Sequence, residues 1–131
     1  MKTESLNLFI VDENKSLAQE LKDYLVKRFG EGIRVLTFPD RQNCLEKIDD
    51  NTNIVVLNHA IKNENSIETV KLIKNINPKT EVIMLSDRAD IGLAIESFKA
   101  GAQSIVVKGP KQEKKIGNLI VRIFTAPIRI I

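Results

Sequence analysis

Polar side chains follow several short apolar runs, and these residues carry the chemical potential of the chain. Asp12 and Glu13 follow "LNLFIV", and Asn58 follows "NIVVL". Ser86 follows "EVIML", and Lys108 follows "SIVV". In an open sheet of parallel strands, ligands and reactive groups gather where the carboxyl ends of the strands meet. We therefore expect two carboxylates, an amide, a hydroxyl and an ammonium to line one shallow pocket.

The apolar runs themselves have the pattern of buried strands. They cover residues 6–12, 33–38, 53–58, 81–86 and 104–108. Their apolar residues are continuous rather than alternating, which is typical of strands covered on both faces of a parallel sheet. The sequence therefore predicts five parallel strands.

Segments with helical spacing separate the runs. Gly30 and Gly101 are expected C-caps, and Pro78 is expected to stop the third helix. The apolar residues that mark the five predicted helices are Leu17, Leu21, Tyr24, Leu25 and Phe29; Cys44, Leu45 and Ile48; Ile67, Val70, Ile73 and Ile76; Ile91, Ala94, Ile95 and Phe98; and Ile116, Leu119, Ile120, Ile123 and Phe124, of which the last set is expected to face the core. Five repeats of strand and helix predict an α/β fold, a doubly wound parallel sheet with helices on both faces.

Length and composition set the broad class of protein. The 131 residues, 43% hydrophobic and 28% charged, suit one globular domain, which we place at residues 1–126. No apolar run approaches the roughly 20 residues that cross a bilayer. The single cysteine, Cys44, excludes a disulfide within the chain and favours the cytoplasm. Residues 127–131, with Ile128, Ile130 and Ile131, are interpreted as a linker or a truncated extension.

Three motifs stand in register with the predicted elements: "FIVDE", "VIMLS" and "AGAQSIVVKGP". Together they resemble the receiver domain of two-component response regulators, the CheY-like family, over essentially the whole chain. The resemblance implies a flavodoxin-like (βα)5 fold and a role in phosphorelay signalling. It also implies that Asp12 and Glu13 are the acidic pair that holds Mg²⁺. Ser86 would be the switch hydroxyl, Lys108 its ammonium partner, and Asn58 would occupy the position of the phosphoacceptor aspartate.

Asn58 is the most consequential departure from the family pattern. A carboxamide is neutral and its oxygen is a poor nucleophile, so an acyl phosphate cannot form from it. The substitution also removes an anionic oxygen from the expected Mg²⁺ site. A unit charge at about 4 Å is worth roughly 4 kcal/mol at an effective dielectric of 20. We therefore predict no phosphorylation at this position and, at best, weak Mg²⁺ binding.

Other switch positions also depart from the pattern. Ile105 replaces the aromatic residue expected in the fifth strand, and an aliphatic side chain has no polar tip to alternate between buried and exposed positions. Ile61 is followed by Lys62 where the family usually has proline. Gly109 separates Lys108 from the following proline. These positions predict a disabled switch.

Each polar residue also has a purely structural interpretation. Asp12 and Glu13 are either a weak metal site or acids that balance Lys108, and the second interpretation predicts a Lys108–Asp12 pair. Ser86 is then only a hydroxyl that ends a strand. His59 lacks a second nitrogen ligand in the chain, so an exposed loop position is expected for it.

A basic face on the fifth helix is the expected partner surface. It carries Lys111, Lys114, Lys115 and Arg122, opposed locally only by Glu113. In the resembling family, the fourth helix, fifth strand and fifth helix form the usual partner face. A histidine kinase, an effector, a second copy of the chain or membrane headgroups are the partners considered.

Three functions remain open at this stage. The first is a non-enzymatic pseudo-receiver that acts by protein contacts. The second is the regulatory domain of a longer transcriptional regulator or membrane-tethered protein. The third, an enzyme or nucleotide binder, is least favoured, because "DENKS" after the first strand is not a glycine-rich phosphate loop and no nucleophile–base set is apparent. The chain also lacks the features of a nucleic-acid-binding surface.

Overall fold

The computed structural model describes residues 5–125. Five strands alternate with five α-helices, and a short 3-10 turn joins the first helix to the second strand. The elements are β1 (Leu6–Val11), α1 (Lys15–Phe29), β2 (Ile33–Phe38), α2 (Arg41–Lys47), β3 (Ile54–Asn58), α3 (Ser66–Ile76), β4 (Glu81–Ser86), α4 (Ile91–Ala100), β5 (Ser104–Val107) and α5 (Gln112–Thr125).

The strands form one parallel sheet in the order β2-β1-β3-β4-β5. Leu8 is paired with Val35 on one side and with Ile54 on the other, so β1 lies between β2 and β3. The chain therefore reverses direction across the sheet after β2, and the switch point lies between the carboxyl ends of β1 and β3. This confirms the predicted doubly wound sheet and brings Asp12 next to Asn58.

The two faces of the sheet carry separate apolar cores. One core packs α1 and α5 on the sheet through residues such as Leu21, Leu25 and Ile116. The other core packs α2 and α3 through residues such as Cys44 and Val70. Helices therefore cover both faces, as the continuous apolar strands predicted.

Four of the helices begin at an Asn or Asp N-cap, which satisfies backbone N–H groups that the helix leaves free. Each cap accepts a hydrogen bond from the residue three positions later; the caps are Asn14, Asp40, Asn65 and Asp90. At the other end, Gly30 and Gly101 are the C-caps of α1 and α4, with φ of 55° and 113°. The predicted glycine caps are confirmed, because these positive φ angles strain residues that carry a Cβ.

The second and third helices differ in detail from their predicted stripes. Ile48 is the C-cap of α2, so the helix ends one residue before it. Ile76, one of the residues that marked the third helix in the sequence, lies at the end of α3 and is 45% exposed. Leu17, in the first turn of α1, is likewise 36% exposed.

The apolar residues that marked α4 in the sequence mostly face outward. Ile91, Ile95 and Phe98 are 80%, 50% and 52% exposed, whereas Leu93 and Ser97 are buried. The helix lies against α3 and β5, and the side chains of Ile91, Ile95 and Phe98 face outward. At this helix, packing against α3 and the sheet determines which side chains are buried, and the hydrophobic periodicity does not.

Within residues 5–125, no helix is both long enough and apolar enough to cross a membrane. The proposed linker at residues 127–131 lies outside the described residues.

Candidate functional site

Asp12 and Asn58 meet at the switch point of the sheet, and both are buried, at 5% and 6% exposure. The Asn58 Nδ2 donates to Asp12 Oδ1 at 3.1 Å. The backbone N–H of Asn14 donates to the same oxygen at 2.9 Å. The buried carboxylate therefore has two donors from the protein itself, which offsets the cost of removing its charge from water.

The oxygen of the Asn58 amide also has a hydrogen-bond partner. Its Oδ1 accepts the backbone N–H of Ala60 at 3.2 Å. A carboxylate on one side and an N–H donor on the other admit only one orientation of the amide. An aspartate at this position would have no proton to donate to Asp12, so this bridge requires the amide.

Glu13 is placed differently from its neighbour. Its side chain is exposed, and Oε1 accepts the backbone N–H of Lys62 at 3.4 Å. The contact ties the loop after β3 to the end of β1. Glu13 therefore holds a loop in the described structure and does not lie against Asp12 in a shared pocket.

Lys108 corrects a prediction. Its Nζ lies 3.2 Å from Asp87 Oδ1, in the loop after β4, and makes no ion pair with Asp12. Asp12 already has donors from Asn58 and Asn14, so a buried ammonium is not needed there. At Asp87, whose side chain is 68% exposed, Lys108 keeps part of its hydration and makes a pair with a small desolvation cost.

Ser86 is turned toward its own loop. Its Oγ donates to the carbonyl oxygen of Arg88 at 3.0 Å and also accepts the Arg88 N–H at 3.4 Å. The side chain is buried and its hydrogen bonds shape the start of the connection to α4. This geometry agrees with the structural interpretation of Ser86 as a hydroxyl that ends a strand.

A cavity of about 10 Å³ lies between the strand ends and is lined by Asp12, Asn58, Lys108 and Gln112 among others. Glu13 and Ser86 do not line it, so three of the five predicted residues share the space. The volume corresponds to about one water molecule. A larger group would have to displace side chains that are already hydrogen-bonded.

The donor set is poorly matched to Mg²⁺, which prefers six oxygen ligands, including carboxylates and water, in near-octahedral geometry. Across residues 5–125 there is no group of three or more His, Cys, Asp or Glu side chains that could hold a metal ion. Asn58 presents its NH₂ group to Asp12, and its oxygen is bound by Ala60. Weak Mg²⁺ binding by Asp12 and Glu13 stays a prediction.

His59 is another correction, because it is half-buried and not an exposed loop residue. Its Nδ1 lies 2.6 Å from Ser66 Oγ at the start of α3, and the backbone N–H of His59 donates to the Leu85 carbonyl at 2.8 Å. The only signal in the sequence was a serine at the expected beginning of the next helix. The contact between His59 and Ser66 joins the start of the loop after β3 to the first residue of α3.

The residues of the predicted switch and partner face lie on or near α4, β5 and α5. Ile105 is half-buried and packs against the core that holds α2 and α3. Lys114, Lys115 and Arg122 are exposed on α5, and Lys111 lies in the turn before that helix. The fourth helix was expected in this face, but the outward position of its apolar residues Ile91, Ile95 and Phe98 was not predicted.

A sequence model of the response regulator receiver domain matches residues 8–120. The chain is 28% identical over 110 residues to the chemotaxis protein CheY of Thermotoga maritima, a match covering 83% of this chain and 89% of that protein. It is 28% identical over 109 residues to the transcriptional regulatory protein ZraR of Klebsiella oxytoca, a match that covers 82% of this chain but only 24% of ZraR.

A solved structure gives the same fold. The CheY-like receiver domain protein of Methanospirillum hungatei matches with a TM-score of 0.83 at 18% identity, over 94% of this chain and 96% of that chain. At this identity the likeness establishes architecture and does not extend to the residues of the site.

Proposed function

The chain belongs to the response regulator receiver domain family, and from that premise we propose that it is a pseudo-receiver. It acts by binding other proteins, without catalysis and without phosphorylation of residue 58. The observation that carries the proposal is the hydrogen bond from Asn58 Nδ2 to Asp12 Oδ1 at 3.1 Å. The residue at the acceptor position is a hydrogen-bond donor to the acidic residue beside it.

The chemistry of phosphoryl transfer supports this proposal. Transfer requires a nucleophile with an available lone pair, aligned with the leaving group, and a cation that offsets charge on the transferred oxygens. The Asn58 amide is neutral and is hydrogen-bonded at both ends. The proposal therefore includes weak Mg²⁺ binding, because the amide already supplies the positive end of a dipole to Asp12.

The test is a titration of the ¹⁵N-labelled domain with Mg²⁺ and beryllofluoride, a phosphoryl mimic, followed by backbone amide NMR. We expect no saturable shifts around residues 12, 58, 86 and 108. Asn58→Asp is the matched comparison, because it replaces only the side-chain amide by a carboxylate and so restores the acceptor. Saturable shifts are expected in that variant. Saturable binding by the unaltered domain would refute the proposal.

The proposed partner surface combines the apolar stripe of α4 with the basic face of α5. Ile91 and Ile95 are exposed on α4, and Lys114 and Lys115 are exposed on α5. Contiguous apolar groups at a surface mark interaction sites, and the adjacent cations favour an acidic rim on the partner. A second copy of the chain, a histidine kinase or an effector is the class of partner proposed.

Sedimentation velocity over a wide range of protein concentration tests self-association through this surface. Ile95→Glu is expected to abolish any concentration-dependent dimer. Val26→Glu is the matched control, because Val26 lies on α1 and is 42% exposed. An effect of equal size from both variants would show that the surface of α4 is not the site of association.

A second candidate function is regulation within a longer polypeptide. The chain covers 24% of ZraR and 42% of the transcriptional regulatory protein CpxR of Escherichia coli. A reading frame with a further domain after residue 131 would support this candidate. A signalling module of either kind is expected to work in the cytoplasm, which fractionation of the full-length product tests.

A further inference from the structure

A groove of about 570 Å³ lies beside β2, away from the carboxyl ends of the strands. It exists because α2 is short. The seven residues of α2 extend about 10 Å, whereas the six residues of β1 or β2 extend about 20 Å. Part of the sheet face on the α2 side is therefore uncovered, and Leu36 in the middle of β2 is 51% exposed.

The groove has an apolar floor and a basic rim. Phe9 and Leu36 contribute apolar surface, and Arg34 and Lys47 stand at the rim. The one acidic residue of the lining, Asp49, already accepts a hydrogen bond at 2.8 Å from a backbone N–H of the following loop. Among residues 5–125, neither Arg34 nor Lys47 takes part in an ion pair. With two cations and one carboxylate, the lining has a net positive charge, which favours a negatively charged group.

The free edge of β2 forms one side of this groove. The Phe38 carbonyl accepts the N–H of Asp12, so it points toward the interior of the sheet. Backbone groups alternate in direction along a strand, which places those of Val35 and Thr37 on the outer edge. Val35 lines the groove although its side chain is buried in the opposite core, so it contributes main-chain atoms.

We propose that this groove and the outer edge of β2 bind an extended acidic segment of a partner protein by strand addition. The segment makes main-chain hydrogen bonds to Val35 and Thr37. An apolar side chain rests on Leu36, and a carboxylate lies between Arg34 and Lys47. Arg34 and Leu36 are two residues apart on one face of β2, so the segment must carry its acid and its apolar residue two positions apart.

This inference does not depend on Asn58 or on the proposed function, and the experiment uses a separate probe. The probe is the N-acetylated, C-amidated peptide of sequence TETLTET, titrated into the ¹⁵N-labelled domain. Saturable shifts are expected in the amides of residues 34–37 and 47–49. Two control peptides isolate the interactions: TQTLTQT removes the charges, and N-methylation of alternate amides removes the main-chain donors. Each is expected to bind at least about tenfold more weakly.

Variants of the domain test the same contacts from the other side. Arg34→Glu with Lys47→Glu is expected to weaken peptide binding at least about tenfold. Lys71→Glu with Lys79→Glu gives the same charge change at exposed positions elsewhere and is expected to leave binding intact. Thr37→Pro removes an outward N–H while sparing the bonds to β1, and is expected to weaken binding without unfolding the domain.

Four results with the peptides and probes would overturn the inference, and a fifth comes from the domain variants. These are the absence of saturable shifts, equal binding of the N-methylated or glutamine peptide, equal shifts with hexanoate alone, and shifts that instead follow self-association of the domain. Equal shifts with hexanoate would identify a small acid as the occupant of the groove. Shifts that follow self-association would identify a second copy of the chain as the occupant. Failure of the double charge reversal to weaken binding would exclude the groove itself.

Discussion

Buried polar groups have different surroundings at the carboxyl edge of the sheet and in the helix layer on the α2–α4 face. At the edge, Asp12, Asn58 and Ser86 all have hydrogen-bond partners. In the helix layer, Ser97 is fully buried and its Oγ has no partner within the described part of the chain. The region where reactive groups are expected is therefore satisfied internally, whereas the layer that should be inert carries uncompensated polarity.

The same contrast extends to the outer surface. At the carboxyl edge of the sheet, the Asp12 carboxylate is buried and hydrogen-bonded to the Asn58 amide. On α4, Ile91, Ile95 and Phe98 are exposed to solvent. Burial of such side chains is worth about 1.5–3 kcal/mol each, so their exposure forgoes stability of the isolated domain. This difference supports the proposal that the domain interacts through α4 and carries out no phosphoryl chemistry at the strand ends.

The largest expected effect comes from removing the hydrogen bond between Asn58 and Asp12 at the carboxyl edge of the sheet. Asn58→Asp places two carboxylates in contact and removes the donor to Asp12, so we expect a loss of about 3 kcal/mol in unfolding free energy near neutral pH. Urea denaturation without Mg²⁺ measures it. Acidification should recover part of the loss, because one carboxyl group of the pair then takes up a proton.

The matched control for that variant exchanges the two residues. Asp12→Asn with Asn58→Asp restores an amide next to a carboxylate, and stability should return to within about 1 kcal/mol of the unaltered domain. A single Asn58→Asp variant as stable as the original would contradict the role assigned to the amide.

Cys44 offers a test in the opposite region. Burial, with smaller contributions from the charges of Asp40 and Glu64, raises the pKa of its thiol from 9.0 to about 12. Between these values the unfolded chain loses the thiol proton and the folded chain keeps it. The free energy of unfolding should therefore fall as the pH rises above 9, by up to about 1.4 kcal/mol per pH unit.

Urea unfolding at pH 8, 9, 10 and 11 measures this dependence. Cys44→Ala lacks the thiol but retains the other titrating groups, so its decline over the same range should be shallower. Parallel declines in the two proteins would show that Cys44 does not contribute.

Two buried serines give the next effect. Ser97→Ala removes a hydroxyl without a partner and should raise the unfolding free energy by about 1 kcal/mol. Ser66→Ala removes a hydroxyl that lies 2.6 Å from His59 Nδ1 and should lower it by about 1 kcal/mol. Thermal and urea denaturation compare the two, and a change of the same sign in both would contradict the assigned difference.

The smallest effect concerns Lys108. Its partner, Asp87, is largely exposed, so the coupling between Lys108→Gln and Asp87→Asn should be below about 0.5 kcal/mol. A double-mutant cycle measures that coupling. A strong coupling of Lys108 to Asp12 instead would restore the pairing first predicted from the sequence.

The sheet and helix ends were predictable because their causes are local. Continuous apolar runs determine buried parallel strands, and Gly30 and Gly101 allow the positive φ angles that end α1 and α4. The meeting of Asp12 and Asn58 was also predictable, since both follow strands that flank the switch point.

Side-chain direction was not predictable to the same extent. The position of Lys108 was predicted, but its partner depends on the loop after β4, which brings Asp87 within reach. For α4, both Leu93 and Ile95 are apolar, and only the packing of the assembled sheet and α3 decides which one is buried. The pair between His59 and Ser66 likewise depends on the path of a loop.

The amide bridge between Asn58 and Asp12 has a consequence for timing. An acyl phosphate is lost by hydrolysis, so a phosphorylated receiver returns to its unphosphorylated state over time. A hydrogen bond within the folded chain has no such decay. Under the proposed function, the output of this domain would follow its abundance in the cell, and synthesis and degradation would replace dephosphorylation as the means of ending its signal.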